Sequence, residues 1–164
     1  MYYDTIESPI GPILLAGDGH ALQHVGLPEA RRPFTIPAGW QHEPSRLAEP
    51  TRQFAAYFRG ELTDFDLPLN AAGTAFQKKV WNALIGIPYG TTISYAELAR
   101  RIDNPKASRA VGLANGANPL AIIVPCHRVI GANGSMTGYG GGLGAKRFLL
   151  ALESGRAATA DRLI

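Results

Sequence analysis

The sequence predicts an α/β fold in two parts, a small sheet with one helix followed by a mostly helical unit that contains a helix-turn-helix. Three observations carry this. Strand-like alternation is confined to the opening residues, and helix-capping patterns recur from Thr74 onward. The charge also changes sign near Asn70: residues 1–70 hold five Lys/Arg and nine Asp/Glu, a net −4, whereas residues 71–164 hold eleven and four, a net +7. The division is therefore set at 1–70 for the N-terminal α/β part and 71–164 for the C-terminal part.

Apolar alternation over 2–7, 13–16 and 22–27, with Gly17-Asp18-Gly19 as a turn, predicts a small antiparallel sheet. Residues 28–44, rich in Pro, Gly and Arg, read as a loop. Over 45–59 Leu47, Phe54, Tyr57 and Phe58 recur near helical spacing, and Gly60 stops the helix. Residues 64–69 form either a last short strand or the linker.

Thr74 with Gln77 makes a capping box for a helix that buries Phe76, Val80 and Leu84 and ends at Gly86. Ser94 with Glu97 makes a second box, for a helix ending near Arg101. Asn104-Pro105 supplies a cap and a first-turn proline for a third helix, which ends at Asn115-Gly116. Two short helices with so tight a connection are a helix-turn-helix. Residues 121–124 read as a buried strand, Asn133-Gly134 as a turn, and 146–153 as a final helix closed by Gly155.

A chain of 164 residues, 46% of them hydrophobic, can bury a substantial core. No apolar run approaches the roughly 18 residues of a membrane span, and Met1-Tyr2-Tyr3-Asp4 lacks the layout of a signal peptide, so a cytoplasmic, non-membrane protein is expected. The single cysteine excludes an internal disulfide and a multi-cysteine zinc site, and it suits a reducing compartment. The basic second part would attract a polyanion such as nucleic acid, although charge alone describes a solvated basic surface equally well.

Pro125-Cys126-His127-Arg128 carries the chemistry. A lone cysteine is usually a small buried hydrophobe, but here an imidazole and a guanidinium adjoin it. A free thiol is mostly protonated at neutral pH, and a neighbouring base or positive charge makes it a nucleophile. Adjacency does not settle whether His127 faces Cys126, because successive residues of an extended segment point to opposite sides.

Around this segment the sequence resembles the O6-alkylguanine-DNA alkyltransferases, also called methylated-DNA-protein-cysteine methyltransferases. The strongest match is Ile123-Val124-Pro125-Cys126-His127-Arg128-Val129-Ile130. Further matches are Pro88-Tyr89-Gly90 with Ser94-Tyr95, Ser108-Arg109-Ala110-Val111-Gly112, Asn118-Pro119, Gly138-Tyr139-Gly140-Gly141-Gly142-Leu143 and Leu149-Leu150-Ala151-Leu152-Glu153. The resemblance implies a ribonuclease H-like N-terminal domain and a winged-helix-like C-terminal domain. It also implies a protein that turns O6-alkylguanine, and O4-alkylthymine, out of duplex DNA and takes the alkyl group irreversibly onto Cys126, without a cofactor.

In that pattern Cys126 is the acceptor, His127 the base acting through a bound water, and Glu153 the group that orients His127. Asn118 braces the segment, and Tyr95 donates its hydroxyl to the guanine ring. The carbonyls of Cys126 and Val129, together with Tyr139 and the Gly140 amide, hold the extruded base. Some relatives carry serine at position 140, so this chain keeps the amide donor and loses a hydroxyl.

Arg109 holds the place of the extruded base, with Ser108, Ala110, Gly112 and Thr92 as further DNA contacts. Ala107, Ser108, Ala110, Gly112 and Ala114 keep the second helix slim enough for a minor groove. Flipping is required because the alkylated oxygen lies inside the stack. Lacking side chains that read base edges, double-stranded DNA binding should be weakly sequence-selective, by a monomer.

His20 and His24 would share a face of a strand, but two histidines without cysteine or carboxylate partners are weak evidence for a metal, and none is expected. The glycine-rich 138–144 fits no nucleotide-binding pattern and reads as an active-site loop. Two rivals remain. A non-catalytic lesion-binding module has no need of Cys126, and a cysteine hydrolase or redox switch using Cys126 and His127 would turn over or be reducible.

Overall fold

The computed structural model describes residues 1–30, 34–134 and 142–155. β1 (Tyr2–Ile6), β2 (Ile13–Gly17) and β3 (Leu22–Gly26) form the expected antiparallel sheet, with Tyr2 opposite Gly17 and Leu15 opposite Val25. Ile13 and Leu15 point inward and are fully buried, the period-2 signal that made the strand legible. A two-residue strand, β4 (Gln41–His42), runs parallel to β1 and completes the order β3-β2-β1-β4. It falls within the segment expected to be loop, and a two-residue polar strand leaves no alternation to detect.

The helix expected over 45–59 begins as a 3-10 turn, Pro44–Leu47, and becomes α1 (Ala48–Phe58). Phe54 and Tyr57 lie fully buried on its inner face, with ring centroids 4.9 and 5.3 Å from Phe65. Burying each side chain contributes about 1.5–3 kcal/mol. The chain then returns to β3, where the Leu22 amide donates to Pro68 O at 2.8 Å and a single parallel bridge joins Leu22 to Leu69.

α2 (Ala75–Ile85) opens on the predicted box, with Gln77 N donating to Thr74 Oγ1 at 3.1 Å and Thr74 N to Gln77 Oε1 at 2.9 Å. It buries Val80, Trp81 and Leu84, while Phe76 is only half-buried. The Trp81 indole donates to Ala114 O at 2.9 Å.

α3 (Tyr95–Arg101) has half of its expected box. Ser94 Oγ accepts from Glu97 N, but the Glu97 carboxylate turns to Arg100 and Arg101 at 2.9 and 3.3 Å. A carboxylate facing two guanidinium groups gains more from them than from one amide.

α4 (Ser108–Gly116) starts later than the Asn104 cap predicts. Asp103 adopts a left-handed φ of +58°, and Asn104 O accepts from Ala107 N, so Asn104-Pro105 makes a turn before the helix. α3 and α4 nevertheless form the predicted helix-turn-helix.

The stretch 121–124, expected as a strand, is a turn. Ile122 has φ +74° between Ala121 O and Ile123 N, which are hydrogen-bonded at 2.9 Å, and this is the strained form of the γ-turn. Pro125, at φ −81° and ψ 64°, centres the relaxed form, closed by Cys126 N donating to Val124 O. Cys126 therefore sits on a 3-10 turn, Cys126–Arg128, and not at the end of a strand.

β5 (Ile93–Ser94) pairs in parallel with β6 (Val129–Ile130), tying the start of α3 to the residue after that turn. The expected Asn133-Gly134 turn is present, with Gly134 N donating to Gly131 O. α5 (Leu143–Glu153) begins three residues before the predicted start and is closed by the predicted Gly155, whose φ is +81°.

The two parts share one core and meet near the thiol. Val25 N donates to Pro119 O at 2.8 Å. Gly142, at φ +99°, packs so closely on Glu29 that a Cβ would stand 3.1 Å from the Glu29 carbonyl.

Thr74→Ala should lower the unfolding free energy by about 1 kcal/mol in urea, because it removes the acceptor of one otherwise unpaired helix amide. Its transition midpoint should move with an unchanged slope.

Candidate active site

Glu153 is the centre of the site. It lies in the last turn of α5, where a carboxylate opposes the helix dipole, and it is only 6% exposed. Four donated bonds compensate. Oε2 accepts from Tyr57 OH at 2.5 Å, His127 Nε2 at 2.7 Å and Arg128 Nη2 at 3.0 Å, and Oε1 accepts from Arg128 Nε at 2.7 Å. Burial alone would raise its pKa, but the bonds from His127 and Arg128 outweigh this and hold it at about 2.

An ionised carboxylate can only accept, so the His127 proton resides on Nε2 and the lone pair on Nδ1. His127 is fully buried, and its Nδ1 has no hydrogen-bond partner among the described residues. Burial lowers its pKa against the opposing pull of Glu153, so the imidazole is neutral at physiological pH and Nδ1 is its basic atom.

The same turn carries the thiol of Cys126, 6% exposed. Asn118 Nδ2 donates to its Sγ at 3.3 Å and to Val124 O at 2.8 Å, while Asn118 Oδ1 accepts from Leu120 N at 2.9 Å. One side chain thus pins both turns that present the thiol and directs a donor at its sulfur. Lys146 is also buried, donating to Val129 O at 2.7 Å. Burial lowers its pKa, and the neighbouring Cys126 opposes that shift.

Of the residues expected from sequence, Cys126, His127, Glu153, Asn118, Val129 and Tyr95 come together. Tyr95, half-buried at the start of α3, has its phenol pKa raised by burial and by Cys126. The Val129 carbonyl accepts from Lys146. The Cys126 carbonyl takes the Val129 amide and, at 3.4 Å, Asn115 Nδ2.

Of the expected DNA contacts, only Gly112 touches this cluster. Arg109 and Ala110 are exposed on α4, Ser108 is half-buried at its start, and Thr92 is exposed ahead of β5. Gly112 faces the Tyr95 ring, 3.9 Å from where a Cβ would stand, so it serves the contact between α4 and α3. Tyr139 and Gly140 lie outside the described residues, as does most of the glycine-rich segment. His20 lies in the turn after β2 and shares no strand face with His24, whose ring packs on Phe34 and Trp40 at 5.0 and 5.5 Å.

Sequence reasoning missed four participants. Arg128 adjoined the thiol but was assigned no role. It is buried, donates to Ile87 O at 2.7 Å and lies over the Tyr89 ring. Lys146 read as an ordinary helix residue and Asn115 as a helix end. Tyr57 lies 96 positions from its partner Glu153, and no local pattern marks it. On α4 the reading also passed over Leu113, 73% exposed one turn beyond Arg109.

A ribonuclease-like sheet domain, a helix-turn-helix and a thiol in the same turn as a carboxylate-held imidazole define a DNA-binding protein class with a cysteine at its chemical centre. The family model described as the 6-O-methylguanine DNA methyltransferase ribonuclease-like domain matches residues 1–71, and that of the DNA binding domain matches residues 75–155. The chain belongs to the 6-O-methylguanine DNA methyltransferase family.

It is 58% identical over 153 residues to the methylated-DNA--protein-cysteine methyltransferase of Methanosarcina acetivorans, covering 93% of this chain and 98% of the relative. It is 54% identical over 158 residues to that of Mycobacterium tuberculosis, covering 96% and 94%. The fold matches the crystal structure of Mycobacterium tuberculosis OGT in complex with DNA, with a TM-score of 0.89 at 54% identity, over 95% of this chain and 94% of that one.

The buried carboxylate makes stability depend on acid. Glu153 has a folded pKa of about 2 against an ordinary 4.5, so its stabilisation is complete above about 4.5 and is lost as pH falls toward about 2. Unfolding free energies measured across that window should decline more steeply for the native protein than for Glu153→Gln, which carries no titrating group there.

Proposed function

We propose that this protein repairs duplex DNA by transferring the alkyl group of O6-alkylguanine, and of O4-alkylthymine, to Cys126 in a single irreversible turnover. The observation that carries this reading is the arrangement around His127. Its Nε2 is committed to an ionised Glu153, and its Nδ1 is left as a base in the turn that bears the thiol.

The Cys126 proton passes to His127 Nδ1, directly or through an ordered water. The sulfur then attacks the alkyl carbon, a C–S bond forms, and the C–O6 bond breaks with its electron pair retained by guanine. The Tyr95 hydroxyl donates to the ring to stabilise that anion. The Asn118 amide and the Lys146 ammonium favour the thiolate before attack. A thioether offers water no leaving group, so each molecule acts once.

Because Cys126 is buried, the substrate base must leave its stack to reach it. α4 supports minor-groove binding: its outer face carries Arg109, Ala110 and Leu113 and no acidic residue. Arg109 fills the gap left by the extruded base, with Thr92 and Ser108 contacting the backbone. Contacts of this kind give weak sequence selectivity, and the protein acts as a cytoplasmic monomer whose parts divide near residue 70. Tyr139 and Gly140 are assigned to base binding on the family resemblance alone, beside the Val129 carbonyl. No helix among the described residues is long and apolar enough to cross a membrane.

Incubation with duplex DNA containing O6-methylguanine should add one methyl to the peptide bearing Cys126, seen by intact and peptide mass measurement. Cys126→Ser should gain none, and a native protein that gained none would refute the proposal.

Arg109→Ala should slow repair of duplex lesions by at least tenfold, the loss of about 1.4 kcal/mol of transition-state binding. It should keep most reactivity toward free O6-benzylguanine, so equal losses on both substrates would contradict the extrusion role.

A further inference from the structure

The carboxylate that holds the base is itself held by the other part of the molecule. Tyr57, on α1 of the N-terminal part, is fully buried and directs its hydroxyl at Glu153 Oε2, the same oxygen that accepts His127 Nε2. The Tyr57 ring is seated edge-on against Tyr89 with centroids 6.3 Å apart, and Tyr89 in turn lies beneath the Arg128 guanidinium. Gly90, at φ +78°, lets that loop approach the end of α5 so closely that a Cβ would stand 3.1 Å from Glu153 O. The phenol is thus held against Tyr89 and the end of α5, and its only described acceptor is the carboxylate.

We infer that Tyr57 is a positioning residue for alkyl transfer: its hydroxyl fixes Glu153 and limits how firmly His127 retains the proton it takes from Cys126. The inference rests on the transfer reading above. Its physical basis is competition at one oxygen, since Oε2 takes three donors and each withdraws negative charge from the others. Without the phenol, Oε2 binds the imidazolium more strongly, His127 becomes more basic, and it stays protonated to a higher pH.

The groups that set this balance are few. Glu153 and Lys146 face His127 from α5, Arg128 and Cys126 lie in its own turn, and Tyr57 acts from α1 through Glu153. Tyr89 faces the same carboxylate from the loop after α2. Of these, Tyr57 alone comes from the N-terminal part, which gives that part a chemical role in addition to its packing role.

The experiment is the rate of methyl transfer from O6-methylguanine duplex DNA against pH, in single-turnover conditions, for the full chain and for Tyr57→Phe. The acid limb, where His127 protonates, should move upward by roughly half a unit or more in Tyr57→Phe. A limb that stays in place while only the melting temperature falls would show that Tyr57 merely packs, and would overturn the inference.

Should Tyr57→Phe fail to fold, 3-fluorotyrosine at position 57 keeps the shape and makes the hydroxyl a stronger donor. The limb should then move downward, and an unmoved limb overturns the inference equally. Failure of the transfer reading looks different, because the unaltered protein would itself transfer no methyl group.

Discussion

A charge cannot be buried without partners, and that constraint organises this molecule around Glu153. Its carboxylate lies at the end of a helix whose dipole disfavours it and in surroundings that exclude water, so donors must converge from elsewhere. They come from two elements: Arg128 and His127 from the turn before β6, and Tyr57 from α1. Each donor fixes the placement of its element relative to α5. The ion pair with Arg128 need not contribute much net stability over a hydrophobic substitute, but removing one partner would strand a buried charge at a cost of about 3–5 kcal/mol. Specific geometry is what the arrangement supplies.

That geometry selects a protonation state. The carboxylate is held well below neutrality, so it must receive the Nε2 proton, and the tautomer of His127 follows. The lone pair is consequently on the nitrogen that remains, Nδ1, within the turn that carries the thiol. Asn118 and Lys146 add a donor and a buried positive charge near the sulfur, both of which favour the thiolate over the thiol. Cys126 and His127 are adjacent in sequence, and two γ-turns lead into the 3-10 turn that carries both, in place of an extended backbone whose successive side chains point apart. The strain at Ile122, a β-branched residue at positive φ, is retained beside the reactive turn.

Much of this was legible in the sequence, and the parts that were not share a cause. The three strands announced themselves through alternation, and α2 through a reciprocal capping box, because both signals are local and have period or spacing. Cys126, His127 and Glu153 were recoverable from motif resemblance. The 121–124 run misled because an apolar stretch has the same composition whether it extends or turns, and only its hydrogen bonds distinguish the two. Asn104 misled because an Asn-Pro pair suits a turn as well as a cap, and the left-handed Asp103 decided for the turn. Tyr57 was illegible for a different reason: an aromatic at core spacing on an amphipathic helix predicts burial, and nothing local says that its hydroxyl will find a carboxylate in another part of the chain.

The same economy governs the link between the outer surface and the thiol. α4 presents Arg109, Ala110 and Leu113 outward, while its inner side is joined to the reactive turn through Asn115 and to α2 through the Trp81 indole. Gly112 brings it against Tyr95, which borders Cys126 from α3. A short helix held at three points by polar groups and close packing is not free to tilt independently of them. Pressure on its outer face is therefore borne by the Cys126 carbonyl and the Tyr95 ring.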